Sequence, residues 1–155
     1  MGYELRGVIA DRVVLRVAAV GLEQARVVLL GQEMALIPMT DVLFDAVSDG
    51  TAARTMGFWF LPGGFERVLS VWSGTGPVAY VEAEYFGGVG TQRAAVWARG
   101  ALAFGPFAVE DHEMVPREGT PISRALRLLG VVADHGLDEF DTVGLRRHRH
   151  LEDWA

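Results

Sequence analysis

Two acidic side chains on one stretch are the first candidates for chemistry. In Val78-Ala-Tyr-Val-Glu-Ala-Glu-Tyr-Phe86 the alternation predicts a strand with Tyr80, Glu82, Glu84 and Phe86 on one side and Val81, Ala83 and Tyr85 on the other. The strand rise sets the Cα atoms of Glu82 and Glu84 roughly 6.6–6.8 Å apart. Carboxylates so placed can bracket a divalent cation or divide acid and base roles. No motif surrounds them, and paired glutamates are ordinary on a solvated sheet face. Their aromatic neighbours favour a partner-binding surface over catalysis.

The other chemical groups point the same way. Gly87-Gly88-Val89-Gly90-Thr91-Gln92 follows a strand but leads into Arg93-Ala94-Ala95-Val96 instead of an evident helix. It lacks both the third glycine of a dinucleotide fingerprint and a Gly-Lys-Ser/Thr, so it reads as a glycine turn, with Gln92 free for recognition. His148 and His150 alternate with arginines, His112 lies among carboxylates, and His135 stands alone, so no metal is expected. Ser48, Ser70, Ser73 and Ser123 lie outside any Gly-x-Ser-x-Gly context. Without cysteine or lysine, thiolate nucleophiles, Cys-type metal sites and lysine Schiff bases are excluded. No cofactor is expected, and no catalytic machinery is recognisable.

Composition frames these groups. Among 155 residues, 50% are hydrophobic and 22% charged, which suits one globular domain without disulfides. Absent Lys and Asn, with only three Ile, fit the codon usage of a GC-rich bacterial genome. Acidic residues interrupt the N-terminal segment and no apolar run approaches the ~20 residues of a membrane span, so a cytoplasmic address is expected. The formal net charge is −6, and residues 110–141 hold eight acids against three arginines. That stretch is either ordinary solvated loops or a face that attracts a basic partner and repels nucleic acid; no membrane partner is expected, for want of an apolar span. Asp138 and Glu139 are its candidate contacts. The basic run Arg146-Arg147-His148-Arg149-His150 suits neutralisation against the acids better than nucleic-acid binding.

The elements that must position these groups follow from periodicity and punctuation. Strands are expected at Tyr3–Ile9, Arg26–Leu30 and Met34–Met39, the last ended or placed at an edge by Pro38. Further strands are expected at 78–86, 94–98 and 101–104, as a meander. Helices are expected after the caps Asp11, Thr40 and Thr120, and at 65–72, where Phe65, Val68, Leu69 and Trp72 form a stripe that places Trp72 in the core. The tail is polar, anchored by Phe140, Val143, Leu145, Leu151 and Trp154. Hairpins outnumber β-α-β units. The expectation is a single α+β domain over 1–155, with a mostly antiparallel sheet of about five to six strands packed against about four helices.

Two segments, Ala79–Gln92 and Asp138–His150, resemble stretches of small bacterial proteins associated with immunity to polymorphic toxins. They cover 27 of the 155 residues. The resemblance implies a cytoplasmic protein that neutralises a cognate toxin by binding it. A basic toxin domain would complement the acidic charge. The candidate contacts are Glu82, Glu84, Gln92, Asp138 and Glu139. The competing expectation is a small enzyme or ligand-binding domain with a pocket among Glu82, Glu84, Tyr85 and Gln92.

Overall fold

A computed structural model describes residues 2–51, 55–87, 89–110 and 113–154. His112 lies outside the described residues. Within them the chain is α+β, with six strands: β1 (Gly2–Asp11), β2 (Val28–Leu29), β3 (Met34–Pro38), β4 (Val78–Phe86), β5 (Val89–Ala98) and β6 (Ala101–Val109). All pair antiparallel, in the order β2-β3-β1-β4-β5-β6. Five α-helices accompany them: α1 (Arg12–Ala18), α2 (Asp41–Val47), α3 (Phe65–Trp72), α4 (Pro121–Leu128) and α5 (Glu139–Thr142). None of the described helices is long and apolar enough to cross a membrane.

Local chemistry explains the boundaries. Asp11, Thr40 and Thr120 each accept a backbone N–H from the first turn of α1, α2 and α4, satisfying donors that the helix itself leaves unpaired. Pro38 ends β3, and the short β2 rather than β3 forms that sheet edge. At the sheet centre Gly7 permits the crossing of β1 and β3, because a Cβ there would lie 2.5 Å from the Ile37 carbonyl oxygen.

Strand alternation divides the core into two halves. Leu5, Ile9, Leu36, Val81 and Val96 face α4 and the tail, where Phe140, Val143, Leu145 and Trp154 are buried as expected of anchors. Val8, Ile37, Val78, Tyr80 and Trp97 face α1, α2, α3 and the segment Phe58–Leu61. Each fully buried large apolar side chain contributes about 1.5–3 kcal/mol.

Trp72 corrects the expectation of a core residue. It is half-buried, ends α3, and packs edge-on against the buried Phe65 ring at 5.4 Å. Its stripe is real, but the helix stops where the tryptophan reaches the rim. Trp72→Ala is therefore expected to cost about 1.5–3 kcal/mol, below the cost of emptying a buried tryptophan site. A urea titration with unchanged slope reads this directly; a midpoint that does not move would contradict the packing.

Candidate functional site

The alternation of β4 places Glu82 and Glu84 on one side of the sheet, as the sequence implies, but their environments differ. Glu82 is buried and Glu84 exposed. The strap Phe58-Trp59-Phe60-Leu61 crosses over Glu82, which corrects the expectation of a solvated face at that position. Its carboxylate accepts the backbone N–H of Trp59 (2.8 Å) on one oxygen and that of Phe60 (2.7 Å) on the other. The Tyr80 hydroxyl lies 3.1 Å from the second oxygen and 2.9 Å from the Phe60 carbonyl. Burial pushes the Glu82 pKa upward; the two N–H groups, Tyr80 and nearby Arg93 pull it down without reversing the shift.

Arginines complete the arrangement. Register pairs Glu82 with Arg6 on β1 and with Arg93 on β5, so the three share one row of the sheet face. The Arg6 guanidinium lies 3.9 Å from the Phe60 ring centroid, and Arg93 lies 5.4 Å from that of Trp59. Arg6 is fixed from behind by the Met39 carbonyl (3.0 Å) and Asp41 (3.1 Å), and Arg93 by Glu110. Phe58 and Leu61 are buried, while Trp59 and Phe60 remain 38% and 39% exposed. The result is an aromatic pair held at the surface by its own backbone and by two arginines.

Beside the pair lies a shallow cleft of about 20 Å³, with Glu4 and Glu84 on its wall next to Arg6 and Arg93. Glu4 and Glu84 are direct cross-strand neighbours, and neither forms an ion pair among the described residues. Like charges directly opposite are unfavourable unless a cation joins them.

Gln92 and Tyr85 lie on the opposite face, so the expected pocket uniting them with Glu82 and Glu84 does not form. Period-two alternation separates the two pairs. Gln92 is buried, donating to the Tyr85 hydroxyl (2.6 Å) and accepting from the Ile122 N–H (3.0 Å). It therefore joins β5 to α4 instead of facing solvent. Asp138 is exposed and caps α5 through the Asp141 N–H (2.8 Å). Glu139 pairs with Arg127 at 3.7 Å.

The acidic stretch is partly neutralised. Arg93 pairs with Glu110, Arg127 with Glu139, and Arg146 with Asp141; of the basic run, Arg146 alone pairs with these acids among the described residues. His148 packs edge-on against Trp154 at 4.7 Å. Among the described residues, no three His, Cys, Asp or Glu side chains gather as a cation site would require.

Trp59, Phe60, Arg6, Arg93 and Glu4 were absent from the sequence-derived candidates. The available signal was four consecutive apolar residues, three of them aromatic, before Pro62-Gly63-Gly64. Such a run is too short for a helix and lies next to turn residues, yet its middle pair is left at the surface. No family model, curated protein or solved structure matches the chain.

Proposed function

We propose that the chain is a non-enzymatic binding protein that neutralises a cognate toxin in the cytoplasm by direct contact. The observation that carries this reading is the Trp59–Phe60 pair, half-exposed yet fixed by Glu82, Arg6 and Arg93. Aromatic and arginine side chains dominate the energetics of protein interfaces, and an immobilised pair loses little entropy on binding. Glu4 and Glu84 give the partner its sign: a lysine or arginine of the partner set against them at the surface would relieve their mutual repulsion. The immunity-protein resemblance of Ala79–Gln92, which contains Glu84, supports the same assignment. Asp138 and Glu139 serve as long-range attraction at most, since one caps a helix and the other is paired.

The test is coexpression with the product of the neighbouring gene, reading rescue from growth arrest and affinity. Trp59→Ala with Phe60→Ala is expected to weaken binding by about 2–4 kcal/mol and abolish rescue. Both rings are partly buried, so some stability should be lost, and binding is compared below the variant's own melting midpoint. Glu84→Gln should slow association and flatten its salt dependence. Full rescue by the double aromatic variant would overturn this surface.

A further inference from the structure

The opposite face of the sheet carries a second, open concavity of about 620 Å³, where the end of β4 meets α5 and the turn after it. We infer that this concavity binds a small zwitterion of amino acid or short-peptide size, its carboxylate toward Arg146 and Arg149 and its ammonium toward Asp138. This inference stands apart from the toxin-binding reading, whose contact surface is the other face.

The walls are aromatic. Tyr3 lies 6.2 Å from Tyr85 between ring centroids, and both are only partly buried, so they offer aromatic surface to a ligand's body; Phe140, 5.7 Å behind Tyr3, is buried and backs the wall. Such a combination of aromatic wall and few convergent polar groups is the usual make-up of a small-ligand site.

The polar groups are held in place with capacity to spare. Gln92 donates to the Tyr85 oxygen, so the Tyr85 O–H hydrogen is left to donate elsewhere, and no described residue accepts it. Burial raises the Tyr85 pKa, which keeps that hydrogen on the phenol. Arg146 spends its Nε on Asp141, leaving its terminal nitrogens. Arg149 makes no ion pair among the described residues, and its carbonyl accepts the Glu4 N–H at 2.8 Å, fixing its backbone beside β1. Asp138 uses one oxygen on the Asp141 N–H and retains the other.

Charge selects among ligands. A simple anion would satisfy the arginines and be repelled by Asp138. A simple cation would do the reverse. A molecule with both charges and an apolar body meets every group at once, through charge-assisted hydrogen bonds at each end.

Titration calorimetry on the full chain tests this with L-phenylalanine and glycyl-L-phenylalanine as probes. Hydrocinnamate lacks the ammonium and phenethylamine lacks the carboxylate, so they serve as the half-ligands. The expected result is binding of at least one zwitterion, weakened about tenfold or more by Arg149→Gln and by Asp138→Asn, and by loss of either charge from the ligand. Asparagine is an equally good helix cap, so Asp138→Asn should keep its fold, as an unchanged melting midpoint would verify. Tighter binding of the dipeptide would assign a peptide ligand, and of phenylalanine a free amino acid. No heat with either probe, equal affinity for a half-ligand, or variants that bind as tightly as the parent would each overturn the inference.

Discussion

Glu82→Ala is expected to cost about 2–4 kcal/mol of folding stability, the scale for leaving two part-buried backbone donors without an acceptor. The substitution strips the acceptor from the N–H groups of Trp59 and Phe60 and leaves the Tyr80 hydroxyl with the Phe60 carbonyl alone. Each buried donor left unpaired costs about 1–3 kcal/mol. Arg6 and Arg93 keep their own partners, Asp41 and Glu110, so no charge is left alone. Urea denaturation measures the loss, and a change below about 1 kcal/mol would mean that the strap does not depend on this carboxylate. Glu82→Gln is milder, since one amide oxygen still accepts while the amide N–H₂ faces a donor.

The same group fixes a pH dependence. Burial raises the Glu82 pKa in the folded chain, so the native state holds that proton more tightly than the unfolded chain does. The stability linked to it is fully present below the ordinary glutamate pKa and is lost as pH rises through the raised native value. The parent's lead over Glu82→Gln should therefore be largest in acid and narrow across that window. A lead constant with pH would contradict the burial.

Much of this architecture was legible in residue order. Strand Val78–Phe86 and helix Phe65–Trp72 follow directly from periods of two and 3.6, and the helix caps from single side chains. What periodicity could not decide is which glutamate is covered. Glu82 and Glu84 have identical parity, and the difference comes from a strap over twenty residues earlier in sequence whose N–H groups reach only the first. The long β5 and β6 were hidden by residues that ordinarily break strands, Gly90, Gly105 and Pro106. Their register shifts between Ala94 and Val96, so Phe107 and Phe104 both meet the same side of the sheet despite their odd spacing. Charge counting over 110–141 likewise could not see that three of its acids pair with arginines, one of them from β5.

Phe58→Ala should cost about 3–5 kcal/mol, as expected for emptying a fully buried phenylalanine site. Its ring meets Tyr80 edge-on at 5.0 Å, and the hydroxyl of that same Tyr80 lies against the Phe60 carbonyl and the Glu82 carboxylate. Phe58 and Glu82 thus hold one strap through a shared tyrosine, one by packing and the other by hydrogen bonds. Once either anchor is removed, the other has less ordered structure left to stabilise. The double variant should therefore lose less than the sum of the single losses, by about 0.5–3 kcal/mol in a double-mutant cycle. Leu126→Ala supplies the control, because Leu126 is equally buried but belongs to the core on the far side of the sheet. It should destabilise the chain and add independently to either strap variant. Below their melting midpoints, Phe58→Ala should weaken binding to the proposed partner by releasing Trp59 and Phe60, whereas Leu126→Ala should bind as the parent does. Additive losses for Phe58 and Glu82, or equal binding by both core variants, would separate the strap from the surface assigned to it.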